Sequence, residues 1–174
     1  ISPFFKIPFL RIFKILPEIV EFEDIIHGKI TFDTKEIKDQ VLIKKDGLPT
    51  YNFACVIDDA LMGITHVIRG DDHISNTPKQ IIFYKALGFK LPKFAHIPLI
   101  LDEDRSRMSK RKGAVAISEY RQMGYLPEAM VNYLALLGWS PGDNREIVSL
   151  KEMIEKFSLE RISKTAAAFN DDKL

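Results

Sequence analysis

The chain has 174 residues, of which 46% are hydrophobic and 28% charged. That length holds one full domain or parts of two, and the balance excludes a disordered, collagenous or low-complexity protein. Twenty-five basic against 24 acidic residues leave a net charge of +1, so overall charge argues neither for nor against a nucleic-acid partner, and only local clusters can. The single cysteine, Cys55, rules out an internal disulfide, and no Cys/His cluster has zinc spacing. A reducing cytoplasm is the default compartment.

No apolar run reaches the ~18 residues of a membrane span. The opening stretch 1–20 is apolar, but Lys6, Arg11 and Lys14 are scattered through it and Pro3, Pro8 and Pro17 interrupt it. It also lacks a small-residue cleavage site, which argues against a secretory signal. The chain starts with Ile1 and is expected to be cut from something longer. An acidic patch (Glu18, Glu21, Glu23, Asp24) precedes strand-like runs at 29–32 and 40–43, and Asp46-Gly47 with Pro49 marks a turn. Two short runs rich in β-branched residues, 53–57 and 64–68, read as buried strands, with Asp58-Asp59 as turn residues between them. A helix is predicted over 77–87: Thr77 caps it, Pro78 suits the first turn, Gln80 completes a T-x-x-Q capping box and Gly88 ends it. The pairs Ile82/Ala86 and Phe83/Leu87 give it an apolar face. Residues 98–101 read as the next buried strand, so that strand, helix and strand make a βαβ unit of a parallel sheet.

After Leu101 the character changes. The segment 105–112 reads R-S-R-M-S-K-R-K, five bases in eight residues with no acid. On charge alone this is a solvated loop or linker. It is also what a polyphosphate clamp requires: lysine as a point charge, arginine as a bidentate fork, serine as a hydroxyl, set against charge that builds on phosphate oxygens during transfer. Beyond it the chain reads helical. Residues 127–137 place Met130, Tyr133, Leu134 and Leu137 on one face, and Ser149-x-x-Glu152 is a second capping box opening a helix to about Phe157.

The order of these blocks is informative. Arg107-Met108-Ser109-Lys110-Arg111 resembles the Lys-Met-Ser-Lys-Ser signature of class I aminoacyl-tRNA synthetases, whose last Ser is often Arg in the glutamyl enzymes. D-G-L-P-T-Y-N-F-A at 46–54, D-D-A-L-M-G-I-T-H-V-I-R-G-D-D-H at 58–73, S-N-T-P-K-Q at 75–80, A-H-I-P-L-I-L at 95–101 and L-P-E-A-M-V-N-Y-L-A-L-L-G-W-S at 126–140 resemble bacterial glutamyl-tRNA synthetases, and the likeness runs from about residue 21 to 174. The expected fold class is α/β: the C-terminal half of a Rossmann-like synthetase catalytic domain, followed by a helical stem-contact region. Residues 1–45 would end the acceptor-binding insertion, 46–101 form the second half of the catalytic domain, and 102–174 hold the signature loop and the stem-contact helices.

The resemblance implies roles residue by residue. Lys110 corresponds to the second lysine of the signature, which contacts ATP phosphate. Arg107, Ser109 and Arg111 would support it, although Arg107 replaces the usual lysine and so changes the geometry. Met108, Leu99 and Ile100 would lie against ATP, the last two along the adenine. Tyr51, Arg69, Cys55 and His73 match positions lining the glutamate pocket. Arg69 has a rationale of its own, because it ends an apolar strand where a carboxylate partner would offset desolvation; a salt bridge to Asp71 or Asp72 is the competing reading. Cys55 reads equally well as a small core thiol. His66, inside a strand, reads as a core histidine, and His27, beside Gly28, as a turn or surface residue.

The second class I signature, His-x-Gly-His, matches none of His27, His66, His73 or His96. The half of the fold that carries it is expected upstream of Ile1, and the anticodon-binding domain downstream of Leu174. The implied function is glutamate–tRNA ligation in the cytoplasm: L-glutamate is activated with ATP, which brings Mg²⁺ on its phosphates, and passed to the 3′ end of tRNA(Glu). No protein metal site and no zinc are expected. A paralogue that glutamylates a modified tRNA base and a non-catalytic nucleotide- or tRNA-binding module are the alternatives; a glutaminyl enzyme usually has an uncharged residue in place of Arg69. The parent enzyme is expected to be monomeric. The chain by itself is expected to be inactive, and either to self-associate through exposed strand edges at 53–57 or 64–68 or to cover them with its apolar N-terminus.

Overall fold

A computed structural model describes residues 4–7, 10–108 and 116–174. The chain divides into two compact units, Ile1–Ala95 and His96–Leu174. Among the described residues no helix is long and apolar enough to cross a membrane.

Among the described residues the first unit holds two sheets, two α-helices and two short 3-10 helices, Thr34–Glu36 and Asp71–Asn76. Strands β1 (Phe4–Ile7), β2 (Leu10–Phe13) and β5 (Gln40–Ile43) form an antiparallel sheet in the order β1-β2-β5, with a bulge between Arg11 and Ile12. The second sheet has the order β4-β3-β7-β6, built from β3 (Ile19–Asp24), β4 (Gly28–Asp33), β6 (His66–Gly70) and β7 (Lys93–Ile97). It is mixed rather than purely parallel: β3 runs antiparallel to β4 and parallel to β7, meeting it at Asp24 and Phe94. Val20, Phe22 and Asp24 alternate inward along β3, the two-residue period of a strand with one buried face. Asp24 is buried because its Oδ1 accepts from the backbone N–H groups of Ile26 and His27, at 3.0 Å each, and closes the β3–β4 turn. His27 lies in that turn, half-buried.

The run at 53–57 is not a strand. It lies within helix α1 (Tyr51–Leu61), and Asp58 and Asp59 are helical rather than turn residues. The reason is periodic: Phe53, Val56 and Ala60 recur at helical spacing and join the core, which a five-residue apolar window is too short to reveal. The strand expected at 64–68 lies two residues further on, as β6. His66, its first residue, is exposed rather than in the core, with Nδ1 3.0 Å from Thr65 Oγ1. The strand expected at 98–101 falls earlier, as β7, because Phe94, Ala95 and His96 are the buried residues and 98–100 have no regular structure.

Helix α2 (Thr77–Leu87) stands where the sequence puts it, closed by Gly88 in the left-handed conformation at φ 69°. Its capping box does not form: Asn76 holds the cap position and no side chain caps the helix. Ile81, Ile82, Phe83 and Tyr84 of α2 join Val56, Val20, Phe22, Phe94 and Leu42 in one core. The N-terminal segment contributes as well. Phe13 and Ile15 are buried in the same core, with the Phe13 ring set edge-on to Phe83 at 5.4 Å. Since 53–57 is helical, it offers no strand edge to cover.

In the second unit Leu101 bridges both Arg107 and Ala168, and its backbone exchanges hydrogen bonds of 2.9 and 2.8 Å with Ala167 and Phe169. Helices α3 (Ile117–Gln122), α4 (Pro127–Gly138) and α5 (Leu150–Lys156) follow. Ser149 caps α5 by accepting from the Glu152 N–H, the serine half of the box read in the sequence. Trp139, Val148 and Met153 make a small core of their own.

Phe83 is wedged between Phe13 and Phe53, both edge-on, at 5.4 and 6.0 Å. Phe83→Ala is expected to lower the unfolding free energy of the first unit by about 3–5 kcal/mol, read as a fall in the urea midpoint. A loss below about 1 kcal/mol would show that the ring does not fill the core as described.

Candidate active site

The polar face of the first unit forms where α1, α2 and the end of β6 meet. On α1, Tyr51, Cys55 and Asp59 recur every four residues, with Asn52 beside them; on α2, Thr77, Gln80 and Tyr84 recur at three and four. Spacings of three and four place side chains on one helical face. The opposite faces are claimed by the core, so the hydrophobic packing sets the rotation of each helix and thereby aims these polar groups.

Arg69, the fourth residue of β6, sits half-buried among them. Its Nη2 donates to Thr77 Oγ1 at 2.8 Å and to Gln80 Oε1 at 2.9 Å. Thr77 and Gln80 are themselves buried, at 0% and 3% exposure, so the two acceptors are fixed in place. Gln80 Nε2 donates to Asn52 Oδ1 at 3.0 Å, and Asn52 Nδ2 to Asn76 Oδ1 at 3.3 Å. Asn76 Nδ2 lies 3.1 Å from His73 Nδ1, and the Thr77 hydroxyl donates to the His73 carbonyl at 3.4 Å. The Tyr51 and His73 rings are 5.7 Å apart.

The electrostatics match this burial. Desolvation raises the Tyr51 phenol above its ordinary value; Cys55, one turn away, adds to the rise and the Arg69 cation opposes it. Burial likewise raises the Asp59 carboxyl, again against Arg69. Tyr84 is pushed up to about 12, first by desolvation and then by the Asp59 charge. Its hydroxyl is buried beside the Asp59 carboxyl.

Of the residues expected to line a glutamate pocket, Tyr51, Arg69 and His73 are drawn together by these contacts, and Cys55 is half-buried on the same face of α1. Asn52, Thr77, Gln80, Asp59 and Tyr84 belong to the constellation and were not anticipated. A polar pair at i and i+3 inside a buried helix, close in sequence to a strand-end arginine, was the available signal, but it read as a cap. In the second unit Leu99 and Met108 are half-buried, and Ile100 and Arg107 are exposed. Ser109, Lys110 and Arg111 lie outside the described residues. A tight turn leads into that segment: Arg105 N donates to Asp102 O and Asp102 N to Ser106 O, both at 2.8 Å, with Arg105 at φ 60°. A groove of about 1380 Å³ runs along α4 and α5, lined by Asn132, Leu136, Trp139, Val148 and Met153. It includes none of the residues expected to bind ATP or glutamate. Among the described residues no group of three His, Cys, Asp or Glu could hold a metal ion.

The mixed sheet with helices packed against it has the fold of a class I synthetase catalytic domain. The family of tRNA synthetases class I (E and Q), catalytic domain, matches residues 8–174, and the chain belongs to it. It is 61% identical over 158 residues to glutamate–tRNA ligase 1 of Thermoanaerobacter sp., covering 90% of this chain and 33% of the relative. The glutamate–tRNA ligase of Carboxydothermus hydrogenoformans is 57% identical over 155 residues, 89% of this chain and 32% of the relative. Among solved structures, a glutamate tRNA ligase from Elizabethkingia meningosepticum, crystallised in complex with its amino acid, superposes with a TM-score of 0.85 at 42% identity, covering 94% of this chain and 36% of that one. The chain thus spans about a third of the length of the curated relatives it matches.

Tyr84 yields a pH test. Its phenol is raised from 10.0 to about 12 in the folded chain. The unfolded chain therefore gives up this proton first, and stability present below pH 10 is lost as pH rises from 10 to about 12. Tyr84→Phe is expected to flatten that loss and to change neutral-pH stability by no more than about 1 kcal/mol, since the main side-chain interaction the hydroxyl loses is the one with the Asp59 carboxyl. Urea midpoints against pH measure both; an equally steep alkaline fall in the variant would exclude Tyr84 as its source.

Proposed function

We propose that the chain carries the glutamate-recognition elements and the signature loop of a glutamate–tRNA ligase. In this reading the enzyme activates L-glutamate with ATP and passes the glutamyl group to the 3′ end of tRNA(Glu). The observation that carries the reading is the fixed guanidinium of Arg69: a cation held by two buried acceptors beside the rings of Tyr51 and His73. With Nη2 tied to these two acceptors, the guanidinium is locked in orientation and carries a fixed positive charge, which suits a carboxylate met by single charge-assisted contacts. The glutamate–tRNA ligases similar over about nine-tenths of the chain supply the substrate class.

In the proposed reaction Arg69 pairs with the substrate side-chain carboxylate, and Tyr51, His73 and Cys55 shape the pocket around it. The substrate's own α-carboxylate attacks the α-phosphorus of ATP and pyrophosphate leaves, so no protein nucleophile is needed. Catalysis then consists of positioning and charge stabilisation. Lys110, supported by Arg107, Ser109 and Arg111, neutralises charge growing on the phosphates, and Leu99, Ile100 and Met108 line the nucleotide. Mg²⁺ enters with the ATP phosphates, and no residue of this chain is assigned to it. The single free cysteine fits a reducing compartment, and we assign the activity to the cytoplasm. We further infer that 1–45 ends the acceptor-binding insertion, that 46–101 continues the catalytic domain, and that 102–174 holds the signature loop and stem-contact helices.

Two substitutions in the full-length ligase test the assignment. Arg69→Ala leaves the substrate carboxylate without its cation and is expected to cost about 2–5 kcal/mol in kcat/KM for glutamate, with loss of discrimination against glutamine. Unchanged glutamate kinetics would refute the pairing. Lys110→Ala is expected to slow adenylate formation about a hundredfold, roughly one transition-state contact, with little change in glutamate affinity. A normal adenylation rate with weakened glutamate binding would reverse that assignment.

A further inference from the structure

The amides between Arg69 and His73 form a chain with a direction. Arginine has donors only, so the group meeting Arg69 Nη2 at 2.9 Å must be the carbonyl oxygen of Gln80. Which way an amide points is decided by its network, and here the decision passes along. Gln80 then turns its NH₂ to Asn52 Oδ1, Asn52 its NH₂ to Asn76 Oδ1, and Asn76 its NH₂ to His73 Nδ1. A nitrogen facing an NH₂ donor must accept. His73 Nδ1 therefore carries no proton, and the neutral ring bears its proton on Nε2.

We infer that Gln80 is a positioning residue that transmits the donor-only character of Arg69 to His73 and holds that imidazole as the Nε2–H tautomer. Thr77 ties the same two residues a second way, accepting from Arg69 and donating to the His73 carbonyl. Gln80 is 3% exposed, so no bulk water competes to reorient its amide. The consequence for recognition is that Arg69 and His73 both present hydrogen-bond donors, the polarity that a carboxylate substrate requires. That consequence rests on the proposed glutamate site; the relay itself rests on the distances.

The relay can be run backwards. In Gln80→Glu the carboxylate only accepts. Asn52 would have to turn its NH₂ toward it, Asn76 would follow, and His73 Nδ1 would face a carbonyl oxygen and take up the proton. Asn76→Asp forces the same switch at the last link while leaving the Arg69–Gln80 bond in place. The experiment is long-range ¹H–¹⁵N spectroscopy of the ¹⁵N-histidine-labelled chain in mildly alkaline buffer, where imidazoles are neutral. The His73 signals are assigned by their loss in His73→Gln. The wild-type chain is expected to show an unprotonated Nδ1, and both variants a protonated one. A protonated Nδ1 in the wild type, or an unprotonated Nδ1 in both variants, would overturn the relay. A switch in Asn76→Asp alone would remove Gln80 from it, and if Gln80→Glu does not fold, Asn76→Asp decides the direction of the chain. A kinetic arm separates this from the glutamate reading. In the full-length ligase Gln80→Glu is expected to raise the KM for glutamate about tenfold, with a smaller change in kcat. A switched tautomer with unchanged KM would refute the glutamate site and leave the relay standing.

Discussion

A cation half out of water needs fixed acceptors, and supplying them to Arg69 organises the first unit. Removing a guanidinium from solvent is costly unless its donors are met. Thr77 and Gln80 meet two of them, and both acceptors are buried deeply enough that they cannot turn to water instead. Their placement depends on the far side of the same helix. Ile81, Ile82 and Phe83 lock α2 into the core, and Phe53 and Val56 do the same for α1. Core packing and site geometry are thus one constraint seen from two faces: a rotation of α2 that emptied the core would also carry Gln80 away from Arg69.

This dual demand explains what could be read from the residues alone. Helix α4, the Ser149 cap and β5 follow rules of spacing and capping that act within a few residues, and they stand where the sequence predicts. Helix α2 was legible from Pro78 and Gly88, but not the purpose of Thr77 and Gln80, which by local rules are a cap. A side chain partnered by Arg69, eight or eleven positions away, is lost to the cap, and that competition is invisible without the fold. The misreading of 53–57 has a related origin. Helix α1 is apolar toward the core and polar toward Arg69, and the run 53–57 holds mainly its apolar positions. Arg69, Tyr51 and His73 are marked in the sequence by resemblance. Asn52 and Asn76 are not marked, and only their hydrogen bonds to Gln80, to each other and to His73 bring them into the constellation. Strands β1 and β2 were missed because their proline-rich, phenylalanine-rich segment gains its structure from β5, more than 20 residues away.

Two ways of handling an anion coexist in the proposed enzyme, and they make opposite demands on the chain. To discriminate glutamate from glutamine, a site must present donors whose direction is set before the substrate arrives, because rejecting a near-isostere depends on groups that would be left unpaired. In the proposed site Arg69 would meet that demand, because Thr77 and Gln80 set its direction in advance. Stabilising charge on phosphates asks for density rather than direction. The segment 105–112 supplies five bases in eight residues, and a lysine ammonium acts as a point charge that tolerates several approach angles. What such a segment needs is a firm point of departure. Leu101 provides it, joined to Arg107 on one side and to Ala167 and Phe169 on the other. The same contrast accounts for the uneven signal in the sequence. Charge density is visible as composition in a short window, whereas preset direction is distributed over α1, α2 and β6 and becomes visible only when those elements meet.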